Sequence, residues 1–278
     1  MSAGPTGAAP SPSVEDVARE VIGWLRTGPD VDRADLGDCV LVNRRLPHLW
    51  FASATRVRFD PAGVVDAIAR VRAWFHDRGR AEFVWVLGPD HAPGDLVERL
   101  VAGGARREPG ILTAMVLDHE PPAGPPGIEV RPVATFDEFV LGEEILAAGF
   151  GFSEADVAAE REAYGRSWAH WQTEPDRLFL LAWHDGRPIA EAGMAPTSAG
   201  PFVLSGGATL PEARGLGAYR ALVRARWDEA ARRGTPAPRG TPALVVQASP
   251  MSRPILERSG FRAVGEITLL IDRSSPPG

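Results

Sequence analysis

The hydrophobic pattern of the chain changes repeatedly between helical spacing and strand-like runs. Helical spacing covers residues 14–25, 61–79, 95–105, 136–148, 153–172, 218–230 and 252–259. Strand patterns cover residues 40–42, 49–59, 83–87, 111–117, 128–132, 178–183, 188–194, 202–210, 244–247 and 265–271. This succession predicts an α/β (α+β) protein with a mixed central sheet flanked by helices.

A proline-rich segment divides the pattern into two parts. Residues 119–127 contain four prolines in nine residues, which predicts a stiff, extended linker. We therefore predict one domain over residues 14–118 and a second over residues 128–273. Residues 1–13 are rich in Ala, Gly, Pro and Ser and are expected to form a disordered tail rather than a signal peptide.

Composition narrows the function classes. A formal net charge of −6 argues against a nucleic-acid partner. All 30 basic residues are Arg, so a Schiff-base or Walker A lysine is excluded. With the single cysteine Cys39 and six scattered histidines, neither a disulfide nor a metal site is expected. No apolar run reaches the ~18 residues of a membrane span, so we expect a cytoplasmic protein with no membrane partner.

The most informative stretch is the turn at residues 209–219, between a predicted strand and a predicted helix. Such a turn points several backbone N–H groups at one spot, where the positive end of the helix dipole adds to them. Gly215 and Gly217 allow close approach of an anion because they lack Cβ atoms. A pyrophosphate site is therefore predicted. The dinucleotide fingerprint does not fit, since Arg220 stands where a third glycine is required.

The turn also resembles the acyl-CoA loop of the GNAT acyltransferase superfamily, Val-x-Pro-x-Tyr-Arg-Gly-x-Gly-x-Gly/Ala. The chain matches at Pro211, Arg214, Gly215 and Gly217 and departs at the usually aromatic position of Ala213. It departs again at Tyr219, where the family usually has Gly or Ala. The order of elements over residues 128–272 resembles the GNAT order throughout.

A fainter repeat suggests two GNAT-like halves in tandem, because residues 61–118 parallel residues 217–272. The first half lacks an Arg-Gly-x-Gly turn, so it resembles a degenerate GNAT fold without a cofactor loop.

The resemblance implies acetyl-CoA as the cofactor and no metal. Glycines inside a strand, as at Ser205-Gly206-Gly207, mark a bulge, a close ligand approach or simple packing. The resemblance implies the bulge, and with it a backbone N–H near residues 208–210 that polarises the thioester carbonyl. A second signature, Asn-x-x-Ala-x-x-Leu-Tyr-x-x-x-Gly-Phe, is matched at Gly260-Phe261, with Leu256 in place of the tyrosine general acid. The implied cofactor-binding residues are Ala208, Thr209, Leu210, Arg214, Gly215, Leu216, Gly217, Ala218, Tyr219, Ser249 and Ser252, although helix capping is the preferred interpretation of the two serines.

Transfer to an amine requires a group that accepts its proton. Glu191 is the first candidate for this base, with His170 and His184 as alternatives. Tyr164 and Trp168 share one face of a helix that overhangs the acceptor site in GNAT enzymes. These aromatic residues predict either core packing or a substrate-binding wall.

The leading hypothesis is an acetyl-CoA-dependent N-acyltransferase that transfers an acetyl group directly to a primary amine. The partner would be a small-molecule amine or a peptide N-terminus, and the protein a monomer or homodimer. The alternatives are a CoA-binding module or sensor without transferase activity, and an interaction domain with no ligand. The acceptor, the acyl-chain preference and the role of the first half stay open.

Overall fold

The computed structural model describes residues 12–25, 31–44, 49, 52–152, 157–158, 161–162, 164–174, 176–234 and 242–274. The first half contains α1 (Val14–Arg19), α2 (Val21–Trp24), β1 (Val31–Asp35), β2 (Val40–Arg44), β3 (Ala52–Thr55), α3 (Val64–His76), β4 (Glu82–Leu87), α4 (Leu96–Ala102), β5 (Arg106–Arg107) and β6 (Leu112–Leu117). The second contains β7 (Glu129–Pro132), α5 (Phe136–Phe150), α6 (Tyr164–Gln172), β8 (Leu178–His184), β9 (Arg187–Pro196), β10 (Phe202–Thr209), α7 (Ala218–Arg233), β11 (Leu244–Ala248), α8 (Arg253–Arg258) and β12 (Arg262–Arg273).

Most predicted elements are present with ends shifted by a few residues. The predicted tail, and much of the predicted segments 49–59 and 153–172, lie outside the described residues. β1 was not predicted, because Val31–Asp35 contains two Asp and one Arg with only two apolar residues. None of its side chains is fully buried.

The predicted continuous helix over residues 14–25 is wrong. Glu20 leaves the helical region (φ −126°, ψ 33°) and separates α1 from α2. Its carboxylate is 8% exposed and pairs with Arg56 at 3.3 Å and Arg58 at 2.5 Å. Since an unpaired buried carboxylate is costly, these two ion pairs offset the interruption of the helix.

One sheet runs through both halves of the chain. Its strand order is β1-β2-β3-β4-β12-β6-β11-β10-β9-β8-β7, with β5 paired to β12. The two halves meet through their last strands. β6 of the first half pairs with β11 of the second, for example at Val116 and Val245, and β12 of the second half pairs with β4, at Leu270 and Trp85. Each half therefore completes its sheet with a strand from the other.

Helices cover both faces of this sheet. α7 buries Ala218 and Leu222 against Ala190 and Ala192 of β9. α5 packs on the opposite face, where Phe139 meets side chains of β8 and β10. α1 lies over the junction of the halves, with Val17 among strands β6, β11 and β12. Within the described residues, no helix is both long and apolar enough to cross a membrane.

The exchange of strands makes a testable prediction about the proposed domain division. A protease site inserted into residues 119–127 should cut the chain without separating the pieces, because β6 and β12 bury apolar side chains in each other's half. Gel filtration after cleavage should give one peak containing both fragments, and thermal unfolding should stay a single transition. Separation into two independently folded pieces would contradict this expectation.

Candidate functional site

The turn between β10 and α7 has the geometry of an anion site. Residues 211–213 form a 3₁₀ turn, and Gly215 and Gly217 then adopt φ values of +89° and +84°, which favour glycine. The N–H of Ala221 donates to the Gly217 carbonyl at 3.1 Å, so the N–H groups of the first helical residues have no intrahelical acceptor. Arg214, Gly215 and Leu216 are exposed. The arrangement fits a bound diphosphate group.

The proline-rich segment packs beside this turn. A Cβ atom on Gly217 would lie 2.9 Å from Cγ of Pro125, so the ring of Pro125 rests directly on the glycine. Further along α7, Arg224 pairs with the Glu120 carboxylate at 2.6 Å. Residues 119–127 thus lie across the first turns of α7, against the turn itself.

The predicted bulge is present in β10. The register with β9 shifts between Ser205 and Ala208, and Gly206 and Gly207 have φ values of +62° and +105°. β10 pairs with β11 only at Phe202 and Val203, and its later described residues have no pairing with β11. The two parallel strands therefore separate at the bulge, where Ser205 and Gly206 are exposed.

The hydrogen bonds between β10 and β9 determine which backbone N–H group faces the gap between β10 and β11. The N–H of Leu210 donates to the Ile189 carbonyl of β9 at 2.9 Å and is therefore directed away from β11. Because successive N–H groups alternate in direction along an antiparallel pair, the N–H of Thr209 points towards the side from which β11 has departed. Of the predicted donors at residues 208–210, Thr209 is the one that this geometry favours.

Glu191 lies under the bulge and is completely buried. Oε1 accepts a hydrogen bond from the N–H of Gly207 at 2.9 Å, whereas Oε2 has no hydrogen-bond partner among the described residues. Burial raises the pKa of this carboxyl to about 8, and the neighbouring Glu143 of α5 contributes to the rise. The carboxyl is covered by exposed Gly206, whose Cβ position would be 3.1 Å from Oε1.

A second buried charge lies on the other face of the sheet. Arg226 of α7 is 0% exposed, donates from Nε to the Leu222 carbonyl at 3.1 Å, and donates from Nη1 to the Gly193 carbonyl at 3.3 Å. Burial lowers the pKa of its guanidinium, an effect that Tyr219 and Glu191 oppose. Sequence reasoning missed Arg226. The signal available was an arginine at helical spacing within the apolar stripe of α7.

Tyr219 connects the turn to the bulge. Its ring lies where a Cβ atom on Gly207 would be, 3.0 Å from Cε2, and the Arg226 guanidinium is 5.6 Å from its ring centroid. The residue that departs from the family pattern therefore packs between α7 and β10. Gly207 must be glycine both for its positive φ and for this contact.

The remaining predicted site residues make mainly local contacts. Ser249 Oγ accepts from the N–H of Ser252 at 3.2 Å just before α8, whereas the side chain of Ser252, the N-cap residue, makes no capping hydrogen bond. Leu256 is completely buried in the core against Phe261. The roles of the two serines in cofactor binding stay predictions.

The aromatic residues of α6 pack in the core. Tyr164 is 5% exposed and meets Phe139 edge to face, with ring centroids 6.3 Å apart. Trp168 is partly buried and stacks on Trp171 at 5.0 Å. The packing of these residues agrees with the core interpretation, and a substrate-binding role stays a prediction.

The alternative bases are engaged elsewhere. His184 Nδ1 is 3.0 Å from the Gly127 carbonyl, and His170 Nε2 is 3.6 Å from the Glu174 carboxylate. Within the part of the chain that the structure describes, no group of three or more His, Cys, Asp or Glu side chains could hold a metal ion.

Comparisons with known structures identify the fold. The chain superposes on a GCN5-related N-acetyltransferase from Kribbella flavida with a TM-score of 0.66 and 20% identity, covering 96% of this chain and 97% of that one. A tandem GNAT protein from the clavulanic acid biosynthesis pathway, without AcCoA, gives 0.60 and 18%, covering 98% and 92%. A GCN5-related N-acetyltransferase from Sphaerobacter thermophilus gives 0.59 and 21%, covering 88% and 83%. No protein-family model and no curated protein sequence matches the chain.

These likenesses show that the chain has the GNAT fold, and the predicted fold class is confirmed. Because one of the matched structures is a tandem GNAT protein aligned over almost the whole chain, the tandem assignment is supported as well.

The environment of Glu191 predicts an unusual dependence of stability on pH. A carboxyl with a pKa of 4.5 when unfolded and about 8 when folded binds more protons in the folded state between these values, so stability falls as pH rises through that range. We expect Glu191→Gln to remove this decline, which is on the order of 4 kcal/mol. Urea unfolding at several pH values measures it.

Glu129→Gln is the matched control, because the Glu129 side chain is 67% exposed. It should leave the pH dependence of the wild type unchanged. Equal pH dependence in Glu191→Gln and the wild type would show that Glu191 titrates normally.

Proposed function

We propose that the protein is an acetyl-CoA-dependent N-acyltransferase that transfers an acetyl group to a primary amine. The observation that carries this proposal is the opened bulge of β10 immediately before the anion turn. The turn offers N–H groups for a diphosphate, and the separated edge of β10 offers a backbone donor for a carbonyl oxygen. Bound acetyl-CoA would supply the thioester that the amine attacks.

The residues of the chain divide the remaining tasks. The N–H groups of residues 215 and 217–219 would hold the diphosphate with the help of the helix dipole, since those of Arg214 and Leu216 donate to the Pro211 and Ala213 carbonyls. The N–H of Thr209 donates to the thioester carbonyl and stabilises the negative charge that develops on its oxygen. Catalysis then depends mostly on positioning, with direct attack of the amine and no covalent acyl-enzyme.

Glu191 is proposed as the base that receives the amine proton. Oε1 is held by Gly207, so Oε2 is the atom that remains for proton transfer, directly or through one water. The exposed Gly206 lies directly over this carboxyl, since its Cβ position would be 3.1 Å from Oε1 and 3.2 Å from Oε2. The nearby Glu143 adds negative charge, which favours a cationic acceptor such as a small-molecule amine or a peptide N-terminus.

Calorimetric titration with acetyl-CoA tests the cofactor site. The wild type should bind, and Gly215→Asp should weaken binding at least about 100-fold, because the variant places a carboxylate beside the diphosphate and strains a residue at φ +89°. Gly104→Asp is the control. Gly104 has φ +97°, and no atom lies within 4 Å of its Cβ position, so the backbone strain is similar but distant from the turn.

The control variant should bind acetyl-CoA like the wild type. Failure of the folded wild type to bind would contradict the proposal. Binding without thiol release across an amine library would instead identify a CoA-binding module.

The pH dependence of turnover tests the base. With acetyl-CoA and amine saturating, kcat should rise with pH around a midpoint near 8, since only the ionised Glu191 accepts a proton. Glu191→Gln should lower kcat by about 10²- to 10⁴-fold and abolish that midpoint. Stopped-flow detection of the released thiol measures both, and Glu129→Gln should behave as the wild type. Retention of the midpoint in Glu191→Gln would place the base elsewhere.

A further inference from the structure

Arg226 has no role in the proposed chemistry, yet it is a completely buried cation in the middle of α7. Burying a guanidinium is expensive unless its surroundings compensate for the lost hydration. The two carbonyls that it binds, those of Leu222 and Gly193, account for part of its donors, and Nη2 has no hydrogen-bond partner among the described residues. The Tyr219 side chain on the same helix raises the pKa of the guanidinium and so also favours its charged form. The burial of this guanidinium is therefore not explained by a gain in the stability of the fold.

The carbonyl of Gly193 lies at one boundary of the bulge. Gly193 pairs with Ser205, the last residue before the register shift, and Glu191 pairs with Ala208, the first residue after it. Arg226 donates to the Gly193 carbonyl at the first boundary of the shift. The Glu191 carboxyl accepts from the N–H of Gly207 within the bulge. Buried side chains of opposite charge therefore anchor β9 to α7 at one boundary of the shift and hold Gly207 of β10 within it.

The two charges approach the bulge from opposite faces. Ala190 and Ala192 pack against α7, so the intervening Glu191 side chain is directed to the α5 side. There it meets Glu143, which disfavours its ionised form, and the N–H groups of Gly207 and Ala208, which favour it. From the other face of the sheet, the positive charge of Arg226 lowers the pKa of Glu191 and so also favours its ionised form.

We propose that Arg226 is a positioning residue of the acyl-transfer site, which ties Gly193 to α7 and holds a buried positive charge across the sheet from the Glu191 carboxyl beneath the bulge. This inference rests on the proposed function insofar as Glu191 acts as the base. It assigns to Arg226 an effect on the ionisation of Glu191 that a purely structural arginine would not have.

The test separates charge from hydrogen bonding. Arg226→Gln can still donate to the Gly193 carbonyl but is neutral, whereas Arg226→Lys keeps the charge. The titration of Glu191 is followed by NMR of ¹³C-labelled glutamate carboxyls in the full chain, with the signal assigned by its loss in Glu191→Gln. We expect Arg226→Gln to raise the midpoint by about one pH unit and Arg226→Lys to leave it near the wild-type value.

Activity provides the second readout. A midpoint raised by one unit should lower kcat about tenfold at pH 7 but only about twofold at pH 9 in Arg226→Gln. Arg58→Gln is the control, because Arg58 pairs with the buried Glu20 in the first half of the chain. It should change neither the Glu191 midpoint nor the pH profile. Arg226→Met serves as a second neutral variant if Arg226→Gln does not fold.

An unchanged Glu191 midpoint in the neutral variants, with only a lower melting temperature, would overturn the proposal. The NMR titration does not depend on turnover. If the wild type acetylates no amine, the proposed function fails, whereas a raised midpoint in Arg226→Gln would still support the action of Arg226 on Glu191.

Discussion

β10 must stay paired along one edge while it opens along the other, and the site depends on this constraint. A bulge satisfies it, since the inserted residue bends the strand away from β11 while the ladder with β9 resumes at Ala208. The bulge disturbs buried backbone groups, which require partners. Glu191 supplies one for the Gly207 N–H, and Arg226 binds the Gly193 carbonyl from the other face. Two of the polar groups that fix the opening are therefore buried, charged side chains.

The first half of the chain has a corresponding pair of parallel strands, but the gap beside them is closed. β3 pairs in parallel with β4 at only two positions, as β10 does with β11. Beyond β3, however, the chain returns to this edge, where the N–H of Phe59 donates to the Ala92 carbonyl and Ala92 donates to Val57. Phe59 is 1% exposed and packs edge to face on Trp85. An aromatic side chain thus packs beside the parallel strands of the first half, and no Arg-Gly-x-Gly turn follows it.

The sequence predicted what local chemistry determines. Hydrophobic periodicity located most elements, and the paired glycines at 206–207 and at 215 and 217 identified the bulge and the turn, because their positive φ angles are local requirements. The exchange of β6 and β12 was not predictable, since both strands are equally apolar whichever half they join. Arg226 was likewise hidden, because only the fold shows that its helical position faces Gly193.

The turn and the bulge are mechanically connected, although they serve different parts of the proposed cofactor. Tyr219 begins in the first turn of α7 and ends against Gly207, so a movement of the helix start displaces the strand edge. On the outer side of the same helix, Pro125 rests on Gly217 and Arg224 is tied to Glu120. α7 is therefore fixed between the bulge and the proline-rich segment. We therefore expect the position of α7, rather than any one side chain in the turn, to determine whether the diphosphate and the thioester of the proposed cofactor can be held at the same time.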